Sequence, residues 1–187
     1  MTNVKFDKVE DYQDVQSTGL YYSKLEQGMA HDDIMEIIWA TARGNSRTPM
    51  QWSQAVNGGF TTGTPWIKVN QNYQYINVKN QVEDPDSILQ HYRQLIELRR
   101  FSSYKDVIVY GDYTLLNEHH PNVYAYLRTY ENKKLLVVSN FFEQPAIICL
   151  TKWTAKKILL SNYKDSSTQL GCLSLRPYES IVFEIES

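Results

Sequence analysis

Residues Ala42 to Trp66 read ARGNSRTPMQWSQAVNGGFTTGTPW. No helical or alternating apolar period runs through them. Segments longer than about 12–15 residues without structure of their own are uncommon in compact domains, and are usually functional loops or disordered. Disorder is the weaker reading, because Met50, Trp52, Phe60 and Trp66 lie inside the stretch and disordered segments are poor in such residues. Arg43 and Arg47 stand among Gly, Ser, Thr, Asn and Pro, a composition that builds turns. Guanidinium groups beside indole rings suit anions, and they suit sugars, whose hydroxyls accept from Arg while C–H faces lie on the rings. The alternative is a packed Ω-like loop whose arginines only tie down backbone carbonyls. From the residues alone both readings stand.

The whole chain has 187 residues, enough for one domain or for a small domain plus part of another. A net charge of −2 argues against nucleic acid or an anionic membrane surface as partner. No apolar run approaches the roughly 18 residues of a membrane span, and no basic segment followed by an apolar run opens the chain. Cys149 and Cys172 both lie in apolar, strand-like segments. They are read as buried thiols in a reducing cytoplasm, with a disulfide as the alternative. A cytoplasmic location is the expectation. Tyrosine-rich β structure and sugar recognition each explain the aromatic content, 14 Tyr, 6 Phe and 4 Trp, so it does not choose between them.

Upstream of the loop, residues 1–12 look irregular. A helix is expected from Gln13 to Gln27, with Val15, Leu20 and Leu25 as its apolar positions and Gly28 as its stop. His31-Asp32-Asp33 opens a second helix, on which Ile34, Ile37, Ile38 and Ala42 fall at helical spacing. Downstream, an extended segment is expected from Trp66 to Ile76. Asp84-Pro85-Asp86 then reads as N-cap, first-turn Pro and first-turn acid of a helix running to Arg100. Ile88, Tyr92, Leu95, Ile96 and Arg99 share one face of it. Each large apolar side chain there contributes about 1.5–3 kcal/mol when buried, so the helix needs something to lie against.

From Asp106 the pattern changes to period two. Short β-rich runs follow at 107–110, 113–116, 123–127, 135–138, 147–150, 158–160, 173–175 and 181–185, separated by turn residues such as Gly111-Asp112, His119-His120-Pro121-Asn122 and Glu131-Asn132-Lys133. Strands of that spacing predict an antiparallel sandwich. The boundary between the helical and β parts falls near Ser102–Lys105. The β part can bury a core by itself; the helical part has no second layer to pack on, which points to a partner protein or to a further portion of the same fold.

Paired acids for glycoside chemistry must stand about 5–5.5 Å apart in a retaining enzyme. Asp32, Asp33, Glu36, Asp84 and Asp86 sit where capping and solvation explain them. His119 and His120 read as turn residues, with a weak metal-ligand alternative. No phosphate loop, nucleophile elbow or paired-cysteine zinc spacing is present. The residues taken alone offer a binding arginine pair and no catalytic machinery.

Over its whole length the chain resembles the C-terminal third of the bacterial oligo-1,6-glucosidase group of the α-amylase superfamily, which includes dextran glucosidases and trehalose-6-phosphate hydrolases. Met1-Thr2-Asn3-Val4 looks like the segment after the eighth barrel strand, and Arg43 to Trp52 like the group's RDNARTPMQW or RDNSRTPMQW. GFTTGTPW (Gly59–Trp66), VNQNYQYINV (Val69–Val78), DPDSI (Asp84–Ile88), IVYGDY (Ile108–Tyr113), YAYLRTY (Tyr124–Tyr130), KLLVVSNF (Lys134–Phe141) and LRPYES (Leu175–Ser180) follow in the group's order. The resemblance implies an α+β fragment: the last loop and helix of a (β/α)8 barrel over residues 1–103, then a C-terminal antiparallel β-sandwich over residues 104–187. It also implies where the lone helix face belongs, against the rest of the barrel.

In the group the nucleophilic Asp, the acid Glu and the stabilising Asp come from barrel strands four, five and seven, and no counterpart of those segments is found here. The resemblance therefore implies no catalytic residue in this chain, which is expected to be inactive alone. Bound calcium is known in the group, but the residues supply no ligand cluster, so no metal and no cofactor are expected. Its partners are an oligosaccharide, bound only together with a barrel portion, and an N-terminal barrel chain. By resemblance Arg43 is the arginine that reaches the terminal glucose of the innermost subsite, and Arg47 supports it. Gly44 stands where the group has Asp, and Ser53 where Asp is frequent; losing a carboxylate beside Arg43 removes a group that would orient its guanidinium. The function implied is part of a retaining α-glucosidase releasing terminal α-1,6-linked glucose from isomalto-oligosaccharides. The alternatives are part of a trehalose-6-phosphate hydrolase, or a non-enzymatic accessory or relic β-sandwich protein. A final expectation is that residues 1–100 expose an apolar helix face while the sandwich is protected.

Overall fold

The computed structural model describes residues 3–186. Met1 and Thr2, which belong to the N-terminal motif, and Ser187 lie outside the described residues. The chain divides into two compact units, Met1–Gln90 and His91–Ser187.

The first unit is helical and irregular. Helix α1 spans Val15–Glu26 and α2 spans His31–Thr41. Asp14 caps α1 by accepting from Ser17 N at 2.7 Å, and Gly28, at φ +83°, ends it in the left-handed conformation glycine tolerates. Asp32 and Asp33 occupy the first turn of α2, where acids oppose the positive end of the helix dipole. Ile34, Met35, Ile38 and Ala42 form one face of α2 and are buried against Val4, Val9 and Tyr12. Leu20 packs on this cluster, whereas Val15 and Leu25 are exposed. The segment expected to be extended from Trp66 to Ile76 instead contains a 3-10 turn, Gln71–Gln74, because Asn70 accepts from Asn72 N and starts a turn. A short helix that periodicity did not reveal, α3 (Val78–Glu83), follows, capped by buried Asn77.

Helix α4 runs from Ile88 to Phe101. Its cap is Ser87, not Asp84: Ser87 Oγ accepts from Gln90 N at 3.2 Å and donates to Gln81 O at 2.6 Å. Asp84 accepts from Asp86 N at 2.9 Å, making the turn before the helix. The apolar stripe is fully formed, yet no α4 residue is buried; Ile88 is 71% exposed, Tyr92 62% and Ile96 49%.

The second unit contains α5 (Lys105–Tyr110) and, among the described residues, the strands β1 (Asp112–Leu116), β2 (Val123–Tyr130), β3 (Lys133–Asn140), β4 (Ala146–Cys149), β5 (Ala155–Ser161), β6 (Cys172–Leu175) and β7 (Ser180–Ile185). The expected strand at 107–110 is α5, a correction. Val107 is buried where α5 packs on β2 and β3, and Arg128 Nη2 donates to Ile108 O at 3.1 Å, so tertiary contacts override the β preference of Val-Ile-Val.

All strand pairs are antiparallel, in a five-stranded sheet ordered β1-β2-β3-β7-β5 and a two-stranded sheet β4-β6. The inward residues of both sheets, among them Ala125, Leu136, Val138, Ile148, Leu175, Ile181 and Phe183, make one core. Period-two alternation puts Ile148 and Leu173 inside and therefore Cys149 and Cys172 outside. The cysteines are exposed cross-strand partners joined as a disulfide, which corrects the expectation of buried thiols.

Candidate functional site

The loop that follows α2 is fastened along its length by amides. Residues Arg43–Ser46 form a 3-10 turn directly after buried Ala42. Asn45 holds this turn from both sides: its Oδ1 accepts from Val4 N at 3.0 Å and its Nδ2 donates to Trp39 O at 3.0 Å, near the end of α2. Asn3 Nδ2 also reaches Trp39 O, at 3.2 Å, and Asn70 Nδ2 reaches Asn3 O at 3.2 Å. Tyr12 supports the same strand-like N-terminal segment, donating to Val4 O at 3.2 Å; burial pushes its hydroxyl above the ordinary value, so it stays neutral.

Further along, the first N–H groups of α3 take the loop's own carbonyls, Val78 N to Gln51 O at 2.9 Å and Lys79 N to Trp52 O at 3.1 Å. Gln51 Nε2 donates to Asn72 Oδ1 at 3.0 Å and to Ile76 O. Trp52 N and Ser53 N converge on Gly58 O, at 2.7 and 3.0 Å. Gly59 sits at φ +69°, and a Cβ there would come within 2.7 Å of Ser53 Oγ, so this position requires glycine. Asn57, itself at φ 57°, donates to Gly63 O at 2.9 Å. A loop closed in this way can present side chains without spending them on its own support.

Arg43 and Arg47 are those side chains. Both are exposed, one opening the 3-10 turn and the other closing it. Neither guanidinium meets a hydrogen-bond or ion-pair partner among the described residues. The reading in which the arginines tie down carbonyls is therefore not what the structure has; Asn45, Gln51 and Asn57 do that. Sequence reasoning quoted these amides but gave them no role. Their signal was present: each is a polar residue whose amide can bond backbone within a turn-rich loop. Each arginine keeps its full fork of N–H donors for a hydroxylated or anionic ligand. Met50, Trp52, Phe60 and Trp66 are exposed on the same loop. At Gly44 a Cβ would meet nothing within 4 Å, so the absence of a side chain there is not imposed by crowding.

The candidate carboxylates stay apart from this site's chemistry. Asp32, Asp33, Glu36, Asp84 and Asp86 are all exposed, the first two in the first turn of α2, Glu36 on the middle of α2 and the last two in the turn before α4. His120 serves its turn, accepting on Nδ1 from Val123 N at 2.9 Å and facing Ile147 O through Nε2 at 3.0 Å. That arrangement assigns its proton to Nε2. Among the described residues no group of three or more His, Cys, Asp or Glu side chains is placed to hold a metal ion, and no helix is long and apolar enough to cross a membrane.

An arginine-bearing loop and helices followed by an antiparallel sandwich are the end of a glycosidase-type catalytic domain with its C-terminal sheet domain. The chain belongs to the α-amylase family: residues 1–111 match the alpha amylase catalytic domain, and residues 123–182 match the alpha-amylase SusG C-terminal domain. It is 45% identical to an oligo-1,6-glucosidase of Halalkalibacterium halodurans, over 98% of this chain and 33% of that protein. It is 42% identical to a trehalose-6-phosphate hydrolase of Bacillus subtilis, over 99% of this chain and 33% of that protein. The solved structure of Bacillus licheniformis trehalose-6-phosphate hydrolase superposes with a TM-score of 0.92 at 41% identity, covering 100% of this chain and 34% of that one. The chain thus spans about a third of the length of the relatives it matches, and corresponds to their C-terminal part.

Proposed function

We propose that this chain is the C-terminal part of a retaining α-glucosidase that removes terminal α-1,6-linked glucose from isomalto-oligosaccharides. The similarity to oligo-1,6-glucosidases across nearly the whole chain carries this reading. In it, residues 1–103 complete the barrel domain and residues 104–187 form the sandwich domain. Arg43 donates to hydroxyls of the terminal glucose, and Arg47 supports the same ligand. Their exposure and lack of internal partners favour the assignment. The partner is the barrel portion that carries the carboxylates, with the oligosaccharide bound only when both are together. A cytoplasmic location belongs to this reading, and the paired cysteines count against it, because thiols there are kept reduced.

A trehalose-6-phosphate hydrolase is the second reading, favoured by the 42% identity to the Bacillus subtilis protein of that name. Incubating the purified chain with isomaltose, an aryl α-glucoside and trehalose 6-phosphate tests the central point. No turnover of any of them is expected, and turnover of one by the chain alone would overturn the proposal.

A further inference from the structure

The bond between Cys149 and Cys172 lies on the outside of the smaller sheet. Strands β4 and β6 turn Ala146, Ile148, Leu173 and Leu175 into the sandwich core, and both cysteines are exposed on the opposite face. The sulfurs are therefore not core atoms; the four inward side chains hold this sheet on the sandwich whether or not the bond is closed. What the bond does close is the mouth of an excursion. The chain leaves β4 at Cys149 and returns at Cys172, 23 residues on. Leu150 N donates to Gly171 O across the same mouth, at 2.5 Å. Between them run β5, an edge strand of the larger sheet, and a turn whose Asp165 and Ser166 reach Arg176 and Glu179. Two register shifts interrupt the pairing of β5 with β7. Irregularly paired edge segments sit at the low end of local stability, so the closed mouth matters to this one.

The bond is also open to attack. No Asp or Glu stands within five residues of either cysteine in sequence, and Lys152 is three residues past Cys149. An incoming thiolate thus meets no carboxylate from the flanking residues, and access of that kind governs the rate of thiol exchange.

We propose that Cys149–Cys172 is a reversible redox site, opened in the folded chain by a protein dithiol of the Cys-x-x-Cys kind, and that its state sets how firmly residues 151–170 are held. One thiolate of the dithiol attacks a sulfur of the bond, forms a mixed disulfide and releases the other cysteine. The second thiol of the dithiol, as thiolate, then attacks its own partner's sulfur in that mixed disulfide and releases the second cysteine. Two electrons and two protons pass to Cys149 and Cys172, which end as thiols, and the dithiol ends as a disulfide. A monothiol does this poorly. The first cysteine released stays opposite the other across the ladder, at high effective concentration, and expels the monothiol again. The ladder pairs Ile148 with Leu173 as well, so opening the bond frees the excursion and leaves the sheet.

The test treats the folded chain with reduced thioredoxin, or with glutathione at the same thiol concentration, and alkylates without denaturant. Thiols are counted by mass spectrometry, hydrogen exchange is read by segment, and the sheet is followed by far-UV circular dichroism. Thioredoxin exposes two thiols at least tenfold faster than glutathione. Exchange at residues 151–170 then speeds at least tenfold with the sheet signal unchanged, and oxidised glutathione reverses both. Cys149→Ser with Cys172→Ser exchanges there at the fast rate with or without thioredoxin. A bond that opens only in denaturant, an opening that melts the sheet signal, or a double variant that does not fold would make it a structural staple and overturn the inference. Unchanged exchange at 151–170 after full reduction, or equal rates with the two reductants, would overturn it too.

Discussion

Arg176 grips buried Glu179 with a fork, Nε to Oε2 at 3.1 Å and Nη2 to Oε1 at 2.8 Å, across the turn that carries Tyr178. Ser166 Oγ and the Arg176 backbone N–H complete the carboxylate's partners, at 2.5 and 2.8 Å, and the guanidinium lies 3.9 Å from the Tyr163 ring centroid.

Burial alone would push the Glu179 carboxyl up, but the hydrogen bonds from Arg176 and Ser166 outweigh it and hold the group below its ordinary value. As pH falls, the unfolded chain then takes up this proton before the folded one does. The stabilisation is complete above the ordinary carboxylate value of about 4.3 and is lost as pH drops toward the lower folded value. Melting temperature followed from pH 6 to pH 3 should fall more steeply in wild type than in Glu179→Gln. Glu179→Ala, which removes the charged acceptor of the half-buried Arg176 and Ser166, should cost about 1–3 kcal/mol at neutral pH.

Asn45 and Arg43 should separate support from binding. Asn45→Ala removes the bonds to Val4 N and Trp39 O and should cost about 1–2 kcal/mol in the chain alone, read by denaturant titration. Arg43→Ala removes no internal contact and should change stability by less than about 0.5 kcal/mol. In a complemented enzyme the same Arg43 change should lower kcat/KM by about 10–150-fold, the worth of a charged hydrogen bond. An Arg43→Ala chain as unstable as Asn45→Ala would assign the arginine to the fold.

Cys149 and Cys172 should resist alkylation until a reductant is added, and mass spectrometry should then show two newly accessible thiols. Replacing both with Ser opens a loop of 23 residues and should cost about 3 kcal/mol by loop entropy. Full alkylation of the freshly purified chain without reductant would contradict the pairing.

The stripe on α4 should make the isolated chain self-associate. Tyr92→Lys with Ile96→Lys should shift sedimentation toward monomer and change stability by less than about 0.5 kcal/mol, since both side chains are exposed. A wild-type chain that stays monomeric at high concentration would count against an unpartnered face.

What the sequence makes legible is what local pattern decides. Strands β2, β4, β6 and β7 bury alternate residues, as with Val123, Ala125 and Leu127, and the alternation is visible in the residues themselves. The same rule places both cysteines outward, each next in its strand to the inward Ile148 or Leu173, because in a half-buried strand apolar neighbours do not make a residue buried. The Val107–Tyr110 run looks like a strand, and only the distant Arg128 and the sheet beneath Val107 make it helical. Asp84 and Ser87 are both good caps, and the choice of Ser87 comes from its bond to Gln81 O, which spacing does not reveal. In the candidate site, Arg43 and Arg47 stood out as charges in a polar loop. The amides that free them act through partners as remote as Val4 for Asn45, beyond the reach of a local pattern.

The most direct measurement is hydrolysis of isomaltose by this chain co-expressed with the N-terminal two thirds of the Halalkalibacterium halodurans oligo-1,6-glucosidase. Glucose release should appear only with both parts present and fall with Arg43→Ala. Equal release by the N-terminal part without this chain, or none from the pair, would contradict the account.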